Sequence, residues 1–265
     1  MAAPSPAMES LLAFWADAGV EVSYADAPVD RIAQGAAPPR RSPSASAALA
    51  AVNAALAEAA GGIAEAARIA SEANDLAALE AAIAAFDGCA LKTQGARRAV
   101  FSRGHPDAPV MIIGEAPGGD EDLQGAPFVG RAGKLLDRMI AAAGLTDRVF
   151  ITNTVFWRPP GNRNPTPAEQ AVCAPFLERA IALVKPRFLL LAGGAAAKAV
   201  LKQSEGILAL RGRWFEWKSA NETLELPAMP TLHPAFLLRQ PAAKKKAWED
   251  LLTLVERLDR PERPA

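Results

Sequence analysis

Three short stretches hold the side chains best suited to chemistry. In GEAPGGDED, Glu115 stands in a turn just after an apolar run, where a carboxylate can orient or deprotonate a water. NTVFWRPPGNRNP begins at Asn153, whose planar amide offers two donors and one acceptor and so can read the edge of a flat heterocycle. LHPAFLLR carries His233, one of only two histidines in the chain. An imidazole there can donate to a group that gains negative charge. Each residue also has an ordinary reading: a helix-capping acid, a turn-capping amide, a structural histidine. The other histidine, His105, lies at a turn before the first apolar run and is assigned no role. Arg131, Lys134, Arg158, Arg163 and Arg239 fall in or beside the same stretches, where cations suit phosphate groups. The run Lys244 to Lys246 either extends that basic face or is a solvated helix turn.

Chemistry of this kind needs a frame that brings the three stretches together. Short apolar runs at 110–114, 148–155, 187–193 and 225–232 are bounded by Gly or Pro and read as strands. Between them, 130–144 and 167–186 carry apolar residues at helical spacing and end at Gly144 and Pro186. A last helix spans 242–258. This βαβαβ order predicts an α/β fold: a three-layer α/β/α domain with a short, mostly parallel central sheet. In such a sheet the ligand site lies beyond the carboxyl ends of the strands, which is where the three stretches fall.

The N-terminal third has another character. Residues 8–19 have amphipathic helical spacing, 25–46 are rich in Pro, Gly and Ser, and an alanine-dominated helical stretch runs to about Phe86. With few large apolar side chains, helices there are expected to be thinly anchored. Residues 1–75 hold 4 Lys/Arg against 9 Asp/Glu, while the remainder holds 25 against 20. The division expected is an acidic extension over 1–75 and a catalytic domain over 76–265. The whole chain, 265 residues with 51% hydrophobic and 22% charged residues and 29 charges of each sign, is neither a disordered nor a polycationic protein. No run reaches the roughly 20 apolar residues of a membrane span, and no cleavable leader is seen. Two cysteines, Cys89 and Cys173, are too few for a secreted disulfide framework, so a cytoplasmic location is expected.

Taken in order, GEAPG with G.PFVGRAGKLLD, ITN followed by RPPGNR.P, and HPA.LLR resemble the uracil-DNA glycosylase superfamily, specifically its family 4, the iron–sulfur class, over roughly residues 75–257. The resemblance implies hydrolysis of the bond between uracil and deoxyribose in uracil-containing DNA, with the base flipped out of the helix. It makes Glu115 the acid that directs water, since the aspartate used one position later by family 1 is here Ala116. Gly114, Ala116, Glu121, Phe128 and Asn153 would then bind uracil: Phe128 stacks on the ring, Glu121 crowds its C5 edge, and Asn153 pairs with O4 and N3-H. Cytosine, with the opposite pattern, would leave buried groups unsatisfied. His233 would face O2 as the base departs. Leu237, Leu238 and Arg239 would form the wedge that fills the vacated stack, and Arg131, Lys134, Arg158 and Arg163 would meet phosphates. The inserted basic loop with an added histidine of the covalent-trapping relatives has no counterpart after GRAGK.

The departure lies in the metal. The family holds its four-iron cluster with four cysteines, and at the matching positions this chain has Phe86, Cys89, Trp157 and Cys173. Two thiolates cannot ligate a Cys₄ cluster, so no cofactor is expected, and two aromatic rings stand ready to fill the volume. The reading is a monomeric, monofunctional, metal-free glycosylase. Two alternatives use the same residues: a catalytically inactive module that binds damaged DNA, and a nucleoside or nucleotide hydrolase.

Overall fold

The apolar runs form the strands at the centre of a sheet. The computed structural model describes residues 60–260; the expected helix at 8–19 and the linker at 25–46 lie outside the described residues. Helix α1 occupies 60–72, followed by α2 (Leu76–Ala85), β1 (Ser102–Gly104), β2 (Val110–Gly114), α3 (Gly119–Gln124), α4 (Arg131–Ala142) and β3 (Val149–Asn153). Then come α5 (Pro167–Val184), β4 (Phe188–Ala192), α6 (Gly194–Leu201), α7 (Ile207–Leu210), β5 (Phe215–Lys218), β6 (Glu225–Thr231), α8 (Pro234–Arg239) and α9 (Lys244–Asp259).

The sheet has the order β1-β3-β2-β4-β6-β5. Strands β3, β2, β4 and β6 are parallel, while β1 and β5 pair antiparallel at the two edges. Both edge strands escape the sequence reading: Ser102–Gly104 has no apolar residue to alternate, and Phe215–Lys218 is only four residues long. Every residue of β2, β3 and β4 is buried, because helices cover both faces. Alternation assigns Met111 and Ile113 to one face, with Leu79, Ile83, Phe176 and Ala197, and Val110 and Ile112 to the other, with Leu136, Ile140, Leu251 and Leu254. The three-layer α/β/α architecture follows.

The alanine-rich helix is better anchored than its composition suggests. Ala66, Ala70 and Ala73 are buried in the same core, and Arg179 Nε donates to the Ala73 carbonyl at 2.9 Å. Small side chains here permit close helix approach rather than loose packing.

From β2 the chain moves to β3 on one side, then crosses back to β4 on the other. That reversal opens a crevice at the carboxyl ends of the central strands, the usual ligand position in such sheets.

Candidate functional site

Parallel registration brings the first two stretches side by side. Gly114 pairs with Asn153 across β2 and β3, and the pairing continues past the strands: Thr154 N donates to the Gly114 carbonyl at 3.0 Å, and Thr154 Oγ1 to the Glu115 carbonyl at 2.7 Å. Glu115 and Asn153 are thus fixed by backbone bonds, not by their own side chains. Gly114 is required by crowding, since a Cβ there would lie 2.6 Å from the Phe128 ring and collide with Asn153 Oδ1.

Glu115, Phe128 and Asn153 line a cavity of about 730 Å³ together with Ala116, Glu121, Gly193, His233 and Arg239, whereas Gly114 lies behind them and does not line it. Two buried polar atoms in it have no hydrogen-bond partner among the described residues: Glu115 Oε1 and Asn153 Oδ1. Buried polar atoms are ordinarily paired, so this pair marks a site shaped for something that brings its own hydrogen bonds. Burial raises the Glu115 carboxyl above the usual glutamate range, the direction expected of a base in a low-polarity setting. Asn153 is 1% exposed, so its amide faces the cavity with little competition from solvent.

His233 closes the far wall. It caps α8, its Nδ1 accepting from Ala235 N at 3.1 Å, which leaves Nε2 to carry the proton and donate. Burial, reinforced by the positive charge of Arg239, brings its pKa down to about 4. The imidazole is therefore a neutral donor near pH 7. Its ring stacks against Phe128 with centroids 5.6 Å apart and an interplanar angle of 29°. Phe128 has φ +55°, a left-handed conformation that costs a bulky residue about 1–2 kcal/mol. Strain of this kind at a pocket wall is held by its surroundings.

Glu121 lines the cavity, but its oxygens are already engaged. Oε2 accepts from Gly118 N at 3.1 Å, and Oε1 from Val129 N at 3.0 Å and Gly130 N at 2.9 Å. It ties the GEAPG turn to the PFVG turn. Among the cations, Arg131, Lys134 and Arg239 are exposed and make no ion pair among the described residues. Arg158 is tied to Asn162 Oδ1 at 2.7 Å, and Arg163 is gripped by Glu169 at 2.6 and 2.9 Å. Glu169 also forms the capping box of α5 with Thr166, so Arg163 anchors the RPPGNR loop to that helix.

The wedge needs a correction. Leu237 is fully buried against Leu135, Leu232 and Ala247, because the HPAFLLR stretch folds as helix α8 and turns that side chain inward. Leu238 is half-buried and Arg239 exposed, so these two remain on the outer side. Ala132, Ile207, Leu232 and Phe236 line the cavity without having been singled out in the sequence; as isolated apolar side chains they read as core.

Phe86, Cys89, Trp157 and Cys173 share one buried neighbourhood, all at most 3% exposed. Phe86 and Trp157 lie 6.5 Å apart between ring centroids, Phe86 meets Phe176 edge-on at 5.1 Å, and Phe156 meets Trp157 at 6.3 Å. Contact with the Cys89 sulfur, and burial, push the Cys173 thiol well above the ordinary range. No group of three or more Cys, His, Asp or Glu among the described residues is placed to hold a metal. A four-cysteine cluster does not fit this neighbourhood: two of its ligands are missing and packed rings stand at their positions.

A strand-end carboxylate, a buried amide and a neutral imidazole thus meet at one cavity of an α/β domain, at the carboxyl ends of a switched parallel sheet. The chain belongs to the uracil-DNA glycosylase superfamily: the model of the Uracil DNA glycosylase superfamily matches residues 101–252. Among curated relatives it is 40% identical over 171 residues to a type-4 uracil-DNA glycosylase of Sulfurisphaera tokodaii, covering 62% of this chain and 77% of that protein. It is 39% identical to those of Saccharolobus solfataricus, over 61% of this chain and 77% of the relative, and of Pyrobaculum aerophilum, over 58% and 81%. Among the described residues no helix is long and apolar enough to cross a membrane.

Proposed function

We propose that this chain is a monofunctional uracil-DNA glycosylase that initiates base excision repair without a metal. The observation that carries the reading is the buried pair of unpartnered atoms, Glu115 Oε1 and Asn153 Oδ1, in one cavity with the Phe128 ring. A flipped uracil supplies N3-H to the amide oxygen and O4 to the amide nitrogen, satisfying what the free protein leaves open. Its face lies on Phe128. Water, oriented by ionised Glu115, adds its oxygen to C1′ of the sugar as the bond from C1′ to N1 breaks; the bonding pair leaves with uracil, and the water's proton passes to the carboxylate. His233 Nε2-H stabilises the negative charge that gathers at O2.

No lysine lines the cavity among the described residues, which supports hydrolysis without a covalent Schiff base. Exposed Arg131, Lys134 and Arg239 provide phosphate contacts, and Leu238 with Arg239 supplies the outer wedge in place of Leu237. Glu121 acts as a tie between two loops while presenting its carboxylate edge to the base. We assign the chemistry to residues 76–265 of a cytoplasmic monomer. The test is release of free uracil from uracil-containing DNA by purified protein, with undamaged DNA and free deoxyuridine or dUMP as comparisons. Binding without release supports an inactive module, and turnover of the free nucleoside or nucleotide supports a small-molecule hydrolase.

A further inference from the structure

Phe128 occupies a strained conformation, and the structure shows what holds it. Arg103, on the edge strand β1, donates through Nε to the Pro127 carbonyl at 2.7 Å and through Nη2 to the Phe128 carbonyl at 3.2 Å. The same Nη2 meets Asp137 Oδ1 on α4 at 2.6 Å. From the other side the Phe128 backbone lies directly on α4 at Gly133, where a Cβ would collide with the Phe128 carbonyl and stand 2.7 Å from its Cα. The next two amides, Val129 and Gly130, are bound by Glu121. The turn that aims the ring is thus fixed at successive residues by groups from three separate elements.

We propose that Arg103, braced by Asp137, is a positioning residue for base recognition: it locks the Pro127–Phe128 turn so that the Phe128 ring forms a fixed wall of the uracil pocket. The proposal rests on the uracil reading of the pocket. Arginine suits this task because its planar fork can span two adjacent carbonyls and a carboxylate at once, whereas lysine presents a single point charge. Arg103 neither lines the cavity nor touches Glu115, Asn153 or His233; its effect is transmitted through Phe128 alone.

That route makes a double-mutant cycle decisive. Arg103→Ala, Phe128→Ala and the double variant are compared in single-turnover uracil release, inhibition by free uracil, DNA affinity and thermal melting. Arg103→Ala is expected to weaken free-uracil inhibition and slow excision roughly three- to thirtyfold while leaving DNA affinity unchanged. It causes no further loss in the Phe128→Ala background. Arg103→Lys recovers part of the loss. Should Arg103→Ala fail to fold, Asp137→Asn loosens the brace and gives a smaller loss of the same kind, again absent without Phe128. Equal losses with and without Phe128 overturn the proposal, as does wild-type uracil inhibition in a folded Arg103→Ala. If Phe128→Ala itself excises at the wild-type rate, the pocket reading fails, and the positioning role fails with it.

Discussion

Residues 153–157, NTVFW, pass from one kind of interior to another within five positions. Asn153 lines the cavity, where two buried polar atoms lack partners among the described residues, a phenylalanine sits at positive φ, and the pKa of a carboxyl group is raised by desolvation. Phe156 and Trp157 enter an interior where rings pack edge to face and two thiols touch. The first region leaves buried polar atoms open among the described residues; the second is packed ring against ring. The difference sets open, unpartnered polar atoms and closely packed rings in two distinct interiors of one domain. The strand ends that carry Glu115, Asn153 and His233 are fixed by sheet registration and helix capping, while Phe86, Cys89, Trp157 and Cys173 are buried in the core.

The comparison breaks first at Glu115. Glu115→Gln keeps shape and burial but removes the base, so single-turnover excision should fall about a hundredfold to ten-thousandfold. Melting should hold or rise: a carboxyl raised by burial favours the neutral form when folded, and ionisation at neutral pH withdraws stability that the amide never loses. A clear drop in melting temperature would mean the carboxylate is structural.

Trp157→Ala should show the opposite pattern, with about 3–5 kcal/mol of stability lost by denaturant unfolding and excision retained at temperatures where the variant is folded. Loss of excision in a fully folded variant would join the two regions that we separate. His233→Ala comes next, slowing excision by a factor on the order of 10²–10³ while DNA affinity survives on phosphate contacts. The pH profile sharpens this. With His233 neutral down to about 4, the acid limb belongs to Glu115 and should lie above the usual glutamate range, and it should persist in His233→Ala. An acid limb that disappears with His233 would reverse the assignment. The smallest effect is expected at α8: Leu238→Ala should weaken excision from duplex by roughly severalfold more than from single strands, since only the duplex requires unstacking. Leu237→Ala should instead destabilise the fold with no strand preference.

Much of this was legible in the sequence because β2, β3 and β4 are buried throughout and β6 over its second half, and so read as apolar runs ending at Gly114, Asn153, Ala192 and Thr231. The polar residues at those ends had to be loops, and their convergence follows from parallel topology. Arg103 was hidden because β1 is three residues long and two of its partners, the carbonyls of residues 127 and 128, are backbone atoms that no side-chain pattern announces, while the third, Asp137, lies 34 positions away. Leu237 misled because Leu-Leu-Arg reads equally as a wedge and as a helix turn, and only the packing of α8 on Leu135 and Ala247 decides between them. The neighbourhood of Phe86, Cys89, Trp157 and Cys173 could be anticipated from motif positions, but its ring geometry could not.

We propose that a pocket without four cysteine ligands beside it still performs the hydrolysis. Single-turnover assay of purified, chelator-treated protein on uracil-containing DNA, with iron and acid-labile sulfide measured on the same sample, tests it most directly. We predict free uracil and an intact strand carrying an abasic site, from protein with no stoichiometric iron. Activity that tracks iron content, or tight DNA binding with no uracil released at enzyme excess, would contradict the account.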